Sequence, residues 1–329
     1  MEAADIMEKI ISEKFREIDL ATYDLKDEFI EFFLKKESKT ELNELEKMMI
    51  YKAYASNLVI DCDVSELAMN IYKNAWDYLR DSKIQQQVGQ NSKYYKYEII
   101  LNNKIYRGDT MTSAWISLKK YIQVSHSNIL NKDGSVPEKK RKGRSNIEQW
   151  KNFIISEFNE GNLVLKDNVL NFLSISNSCG NIIPVPKYFN VGRSGENAEW
   201  DYWDLTMICI YSWYLHNDLR ILFLNETDDK YLNKLFVKSK LLYESTRECK
   251  EWLNIFKTWG NFIEQNFLQD FVYKTDYGFG RPIMFWQNHT FITPIPTNEK
   301  EFEDFFNSVN EKIEKRGKRI KEKICFELK

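Results

Sequence analysis

The sequence predicts a mainly α-helical protein, a multi-helix globular array around a central buried helix at about 199–216. A small β-hairpin at about 94–107 and a short β element at about 282–293 complete it. Three observations carry this. Glycine (12) and proline (6) are scarce in 329 residues, so long stretches lack helix breakers. Apolar residues recur three and four apart along most of the chain. In the 199–216 stretch, Trp200, Trp203, Met207, Tyr211 and Tyr214 fill one face, and Leu205, Ile208, Cys209, Ile210, Trp213 and Leu215 cover most of the rest. A helix that is apolar all round is normally enclosed by others.

Taken in order, Met7, Ile10, Ile11, Phe15 and Ile18 form a first helical stripe. Thr22 or Asp24 can cap a second helix carrying Leu25, Phe29, Phe32 and Phe33. A longer helix starts at Thr40 and runs through Leu45, Met49 and Ala53, and another follows Ser65 through Tyr72, Trp76 and Leu79. The pattern then changes to alternation around Tyr95, Tyr97, Ile99 and Leu101, followed by Asn102-Asn103, a pair that tolerates positive φ; this is the hairpin. Asp109 or Thr110 caps the next helix, which carries Trp115, Leu118 and Ile122. Residues 127–144, with Asp133-Gly134, Pro137 and a KKRKGR run, read as a basic loop and a candidate boundary. It divides a helical part with the hairpin (1–126) from a second helical part (145–329), unless the two form one continuous domain. Helices resume at 146–158, 169–175, 231–237 and 246–270, and the two-proline stretch Pro184-Val185-Pro186 reads as an apolar turn. A further helix beginning after Asn298 is the clearest, with an Asn298/Glu301 capping-box-like start and a stripe of Phe302, Phe305, Val309 and Ile313.

Bulk properties narrow the function classes. A formal net charge of −2 sets up no global field for nucleic acid. Five cysteines (62, 179, 209, 249 and 325), an odd number without paired spacing, suit reduced thiols in a cytoplasm. The N-terminus is amphipathic and acidic rather than a signal peptide, and no run approaches a membrane span. A soluble, cytoplasmic protein is expected, without a membrane partner.

Most catalytic signatures are missing. No Cys or His spacing suits zinc, the three histidines are dispersed, and there is no GxSxG, GxxxxGK[ST] or GxGxxG. No metal and no cofactor are expected. What stands out is a set of arginines beside glycines at junctions: Arg107-Gly108-Asp109, Gly192-Arg193-Ser194-Gly195 and Gly278-Phe279-Gly280-Arg281. Glycine lets backbone N–H groups approach an anion, arginine adds a bidentate fork, and the first two junctions precede predicted helices. If they converge, Arg107, Asp109, Asn181, Arg193, Ser194 and Arg281 form a phosphate or carboxylate pocket. The alternative is that each arginine pairs with a nearby acid and the glycines only turn the chain. Asp201 and Asp204, three apart, and His289 are the candidates for proton transfer, against plain helix-dipole and loop hydrogen-bonding roles. Cys179 is either a nucleophile or a packed thiol. Lys139, Lys140, Arg141, Lys142 and Arg144 can meet nucleic-acid phosphates, or simply be solvated.

The motif order Gly108-Asp109-Thr110-Met111, Gly180-Asn181-Ile182-Ile183-Pro184-Val185-Pro186, Phe189-Asn190 and Asp201-Tyr202-Trp203-Asp204-Leu205, with a late Pro296-Thr297-Asn298, resembles a family of uncharacterised bacterial proteins. That family is common in low-GC Gram-positive bacteria. The resemblance runs roughly from residue 94 to 319 and implies a shared fold, with no activity, substrate or cofactor attached. Three function classes follow from the residues. The first is an intracellular binding protein that recognises an anionic, phosphate-bearing ligand through its Gly-Arg loops, with His289 among the polar surroundings. The second is an enzyme acting on a nucleotide or nucleic acid at the same pocket, with His289, Asp201 or Asp204 moving protons. The third is a non-catalytic interaction protein in bacterial stress or phage conflict.

Overall fold

A computed structural model describes residues 13–15, 17–58, 61–87, 96–187, 189, 202–217, 240–290 and 292–327. These residues are mostly helical, with two small antiparallel sheets. The expected helix along Met7–Ile18 is described only at residues 13–15, 17 and 18, while that at 231–237 and the start of that at 199–216 lie outside the described residues.

The N-terminal layer opens with a 3-10 turn, Leu25–Phe29, whose first N–H groups are capped by Asp24. Then come α1 (Ile30–Glu37), α2 (Glu44–Leu58) and α3 (Glu66–Ala75). The second of these starts at Glu44 rather than Thr40, where Asn43 Oδ1 accepts from Glu46 N. Ser65 caps α3, whose helix ends at Trp76.

The hairpin is present, but it is half of a larger sheet. Strands β1 (Lys83–Gln87), β2 (Lys96–Leu101), β3 (Lys104–Thr110) and β4 (Ile182–Pro186) lie in that order, each antiparallel to the next. Asn102 and Asn103 turn β2 into β3 with φ of 49° and 62°, the left-handed pair that a tight hairpin turn demands. The apolar Pro184-Val185-Pro186 stretch reads as a turn from sequence, yet it is a strand. It tolerates two prolines because β4 is an edge, where a missing N–H breaks no second ladder.

Strand β3 runs through Thr110, so the next helix, α4 (Ala114–Ser125), is capped by Ser113 and not by Asp109 or Thr110. Consequently Arg107-Gly108-Asp109 sits in mid-sheet rather than at a helix N-terminus. Helices α5 (Asn146–Asn159, with a Ser145/Glu148 capping box) and α6 (Asp167–Ile175) follow the basic loop. Buried apolar residues from both sides of that loop belong to one cluster, from Phe15 to Ile324.

Helix α7 (Trp203–His216) buries Trp203, Leu205, Met207, Cys209, Ile210 and Trp213. It is not enclosed on every side, since Leu215 is 54% exposed and Tyr211 and Tyr214 are half-buried. The single helix expected over 246–270 is two, α8 (Lys240–Phe256) and α9 (Trp259–Gln265). Lys257 breaks it at φ 64°, and Thr258 Oγ1 caps the second piece. A two-stranded sheet, β5 (Val272–Thr275) and β6 (Gly278–Pro282), precedes and only touches the expected β element at 282–293.

The last helix, α10 (Glu299–Glu327), occupies the place the sequence suggested for α7. It packs against α3, α4, α6 and the 3-10 turn Cys179–Asn181. Its approach is so close that a Cβ on Gly180 would lie 2.1 Å from the backbone oxygen of Ile313. Arg316, fully buried, donates from Nη1 to the carbonyls of Cys179, Gly180 and Ile182 and from Nε to that of Asn266, with its guanidinium 5.6 Å over the Trp76 ring.

Candidate functional site

Two cavities bear on function, and Arg107 and Arg281 divide between them. The first is a cleft of about 510 Å³ between α2, the turn at 61–64, β3 and the end of β4. Its lining brings together Asp61, Asp63 and Asp109 with Lys52, Lys96, Arg107 and Lys187, alongside Tyr51, Trp115 and Phe189.

The acidic side of this cleft is held by its neighbours. Tyr51 hydroxyl accepts from Cys62 N (2.9 Å) and donates to Asp61 Oδ1 (3.1 Å). Tyr72 hydroxyl donates to the backbone oxygen of Asp63 (3.0 Å), and Cys62 Sγ donates to Asn177 Oδ1 (3.2 Å). Strand β3 closes on this turn at Gly108, where a Cβ would meet Tyr72 Oη at 2.2 Å and the Asp63 carbonyl at 2.7 Å. Gly108 therefore serves a close backbone crossing, not an anion nest. Burial, and then the Asp61 carboxylate hydrogen-bonded beside it, raise the Asp63 carboxyl well above the usual carboxylate range; Lys96 only partly offsets them. Asp63 Oδ1 is buried without a hydrogen-bond partner, an uncompensated burial that disfavours the charged form. Asp109, 5% exposed, accepts from Trp203 Nε1 at 2.8 Å.

The cationic side is less free than the sequence suggests. Arg107 is paired with the buried Glu98 through Nε (2.7 Å) and Nη2, while Lys187 Nζ lies 3.7 Å from the same carboxylate. Lys52 and Lys96 are half-buried and line the cleft.

Arg281 is elsewhere. It belongs to β6, stacks over Tyr273 at 5.4 Å and lines a second cavity of about 840 Å³. The expected convergence of arginines on one hollow therefore fails for the two that are described, because they sit on different sheets. Arg193, Ser194 and Asp201 lie outside the described residues.

Asn181 is a structural residue rather than a ligand contact. Fully buried, it accepts from Thr112 N (3.1 Å) and Thr112 Oγ1 (2.8 Å) and donates to the carbonyls of Thr112 (3.0 Å) and Ser176 (2.6 Å). No hydrogen-bonding capacity is left for a ligand. Asp204 and His289 do find each other, Oδ2 to Nδ1 at 2.5 Å, but both are buried and line neither cavity. Cys179 is a packed thiol: Sγ lies 2.8 Å from the Leu20 carbonyl, and burial pushes it up to about 12.

In the basic loop, Lys140 pairs with Glu157 and Arg141 Nε donates to the Val136 carbonyl, while Lys139, Lys142 and Arg144 are exposed. Among the described residues, no group of three or more His, Cys, Asp or Glu side chains has metal-binding geometry. No described helix is long and apolar enough to cross a membrane.

The residues that sequence reasoning missed are Asp61 and Asp63. Their one local signal is an Asp-Cys-Asp triplet separated by Val64 from the Ser65 cap, and what makes them a site comes from Tyr51, Tyr72 and Gly108. Compared with known proteins, the chain matches no family model, no curated protein and no solved structure.

Proposed function

We propose that the protein is an intracellular binding protein whose first cleft takes a small phosphate-bearing, hydroxyl-rich molecule of the sugar-phosphate or nucleotide class. The observation that carries this reading is the clustering of Asp61, Asp63 and Asp109 with Lys52, Lys96, Arg107 and Lys187 around one solvent-open hollow. Carboxyl oxygens accept from ligand hydroxyls, and the raised Asp63 carboxyl can also donate while it keeps its proton. Ammonium and guanidinium groups in the same lining suit a phosphate. Trp115 and Tyr51 add aromatic surface on which a ring can lie. The four buried cysteines fit a reducing interior.

Thermal-shift titration tests this with adenosine monophosphate, ribose 5-phosphate, inorganic phosphate and unphosphorylated ribose. A ligand at ten times its Kd stabilises the protein by roughly 1.4 kcal/mol. The phosphate esters raise Tm in the wild type and in Arg281→Ala, whose residue lines the other cavity. The increment disappears in Lys96→Ala. Equal silence from every compound, or an increment that survives Lys96→Ala unchanged, removes the reading.

A second reading, an enzyme on a nucleotide at the same cleft, is favoured by the Asp61/Asp63 pair. A carboxyl raised by burial and by a second carboxyl beside it is a usual arrangement for general acid–base chemistry. It calls for product formation detected by phosphorus NMR that is lost in Asp63→Asn.

A further inference from the structure

Helix α10 carries a second pair of reactive groups, apart from the first cleft. Ser308 and Lys312 lie one turn apart on it, with Oγ and Nζ separated by 2.6 Å. Lys312 is 8% exposed, and among the described residues no carboxylate lies within ion-pair distance of its nitrogen. A buried ammonium whose hydrogen-bond partner is a hydroxyl is poorly compensated, so the neutral amine is favoured. Burial accordingly lowers the Lys312 ammonium below the ordinary lysine value, although Glu311 and Asp204 pull the other way. Ser308 is half-buried and opens onto the second cavity. The walls there are largely apolar, with Ile208, Met284, Phe285 and Trp286, and Arg281 adds a cation.

We propose that Ser308 is a nucleophile with Lys312 as its general base, and that this cavity takes carboxylic esters with an apolar acyl group. A serine hydroxyl attacks a carbonyl only when a neighbouring base takes its proton. Here the neutral Nζ accepts the Oγ proton as Oγ bonds to the carbonyl carbon, and the C=O π pair moves onto oxygen. Collapse of that intermediate expels the alcohol as the C–O bond breaks, and the Lys312 ammonium returns the proton to it. Water, deprotonated by the same amine, then attacks the acyl-serine; its collapse frees the acid and restores the Ser308 hydroxyl. A rigid helix sets the separation of the two groups, as a fixed nucleophile–base geometry requires.

The test treats the full chain with a fluorophosphonate and locates the adduct by peptide mass spectrometry, with p-nitrophenyl butyrate hydrolysis as a second readout. Phosphonylation of Ser308 is expected, lost in Ser308→Ala. Loss of a general base slows such a reaction by about 100-fold or more, and Lys312→Arg should show it because a guanidinium stays protonated. Urea midpoints of both variants separate loss of chemistry from loss of fold. The labelling is read without any phosphate ligand and at the other cavity, so failure here and failure of the phosphate-binding reading are independent results. A wild type that takes no label, or a Lys312→Arg variant that labels at the wild-type rate, overturns the proposal.

Discussion

Asp204 and His289, 85 residues apart in the chain, form a fully enclosed pair whose side chains are 1% and 0% exposed. The same Asp204 Oδ2 accepts from Phe285 N (2.8 Å), and Oδ1 accepts from Leu205 N (2.9 Å). Trp286 stacks on the imidazole with ring centroids 3.6 Å apart, and Tyr202 meets it edge-on. The pair fastens the segment after β6 to the first turn of α7.

Removing the acid strands three donors at once, whereas removing the histidine leaves the two backbone bonds in place. Asp204→Ala should cost about 3–5 kcal/mol, and His289→Gln about 1–3 kcal/mol. Urea unfolding followed by tryptophan fluorescence measures both. Equal costs would show that the backbone bonds contribute nothing.

Asp63 gives a pH dependence of definite sign. Its folded carboxyl is raised above the unfolded value, so between ordinary carboxylate pH and that raised pKa the native state binds more protons than the unfolded one. Its stabilising contribution is present at low pH and is lost as pH rises through the folded pKa. Asp63→Asn cannot ionise, so it should unfold at higher urea than wild type at pH 8, with the gap closing at pH 4. A gap independent of pH would mean that Asp63 does not titrate in this way.

Arg316 should be among the least replaceable side chains of α10. Four buried carbonyls, those of Cys179, Gly180, Ile182 and Asn266, take their bonds from one guanidinium. Arg316→Met should destabilise by about 3–5 kcal/mol, since each abandoned buried acceptor carries its own desolvation penalty. Arg316→Lys should recover little of this, because an ammonium cannot span the fork. Differential scanning calorimetry of the two variants compares them directly.

The hairpin turn offers a gain. Asn103 holds φ 62°, a conformation that glycine adopts without steric cost. Asn103→Gly should stabilise by up to about 1 kcal/mol while leaving the β2–β3 register intact, seen as a higher urea midpoint at unchanged m-value.

Where local chemistry decides, the sequence was readable. Asn298 receives Glu301 N at 3.0 Å and the Phe302/Phe305/Val309/Ile313 stripe is buried, because cap and period lie in neighbouring residues. The Asn102-Asn103 turn was legible for the same reason. Pro184 and Pro186 misled because a proline strand is allowed only at an edge, and edge status is a property of the whole sheet. Arg107 looked like a junction residue because nothing local shows that β3 continues to Thr110. Arg316 sits in a Lys-Arg-Gly-Lys-Arg run that reads as solvated, and only the depth of α10 makes it a core residue. The Asp61/Asp63 cleft depended on contacts from α2, α3 and β3, which no window of sequence contains.

The position of α10 sets the order in which the protein can be completed. The described partners of this helix all precede it in the chain, so without residues 299–327 Trp76, Phe172 and the carbonyls around Cys179 would lose their cover. A nascent chain stalled before residue 299 would leave that apolar furrow open, the kind of surface that chaperones hold.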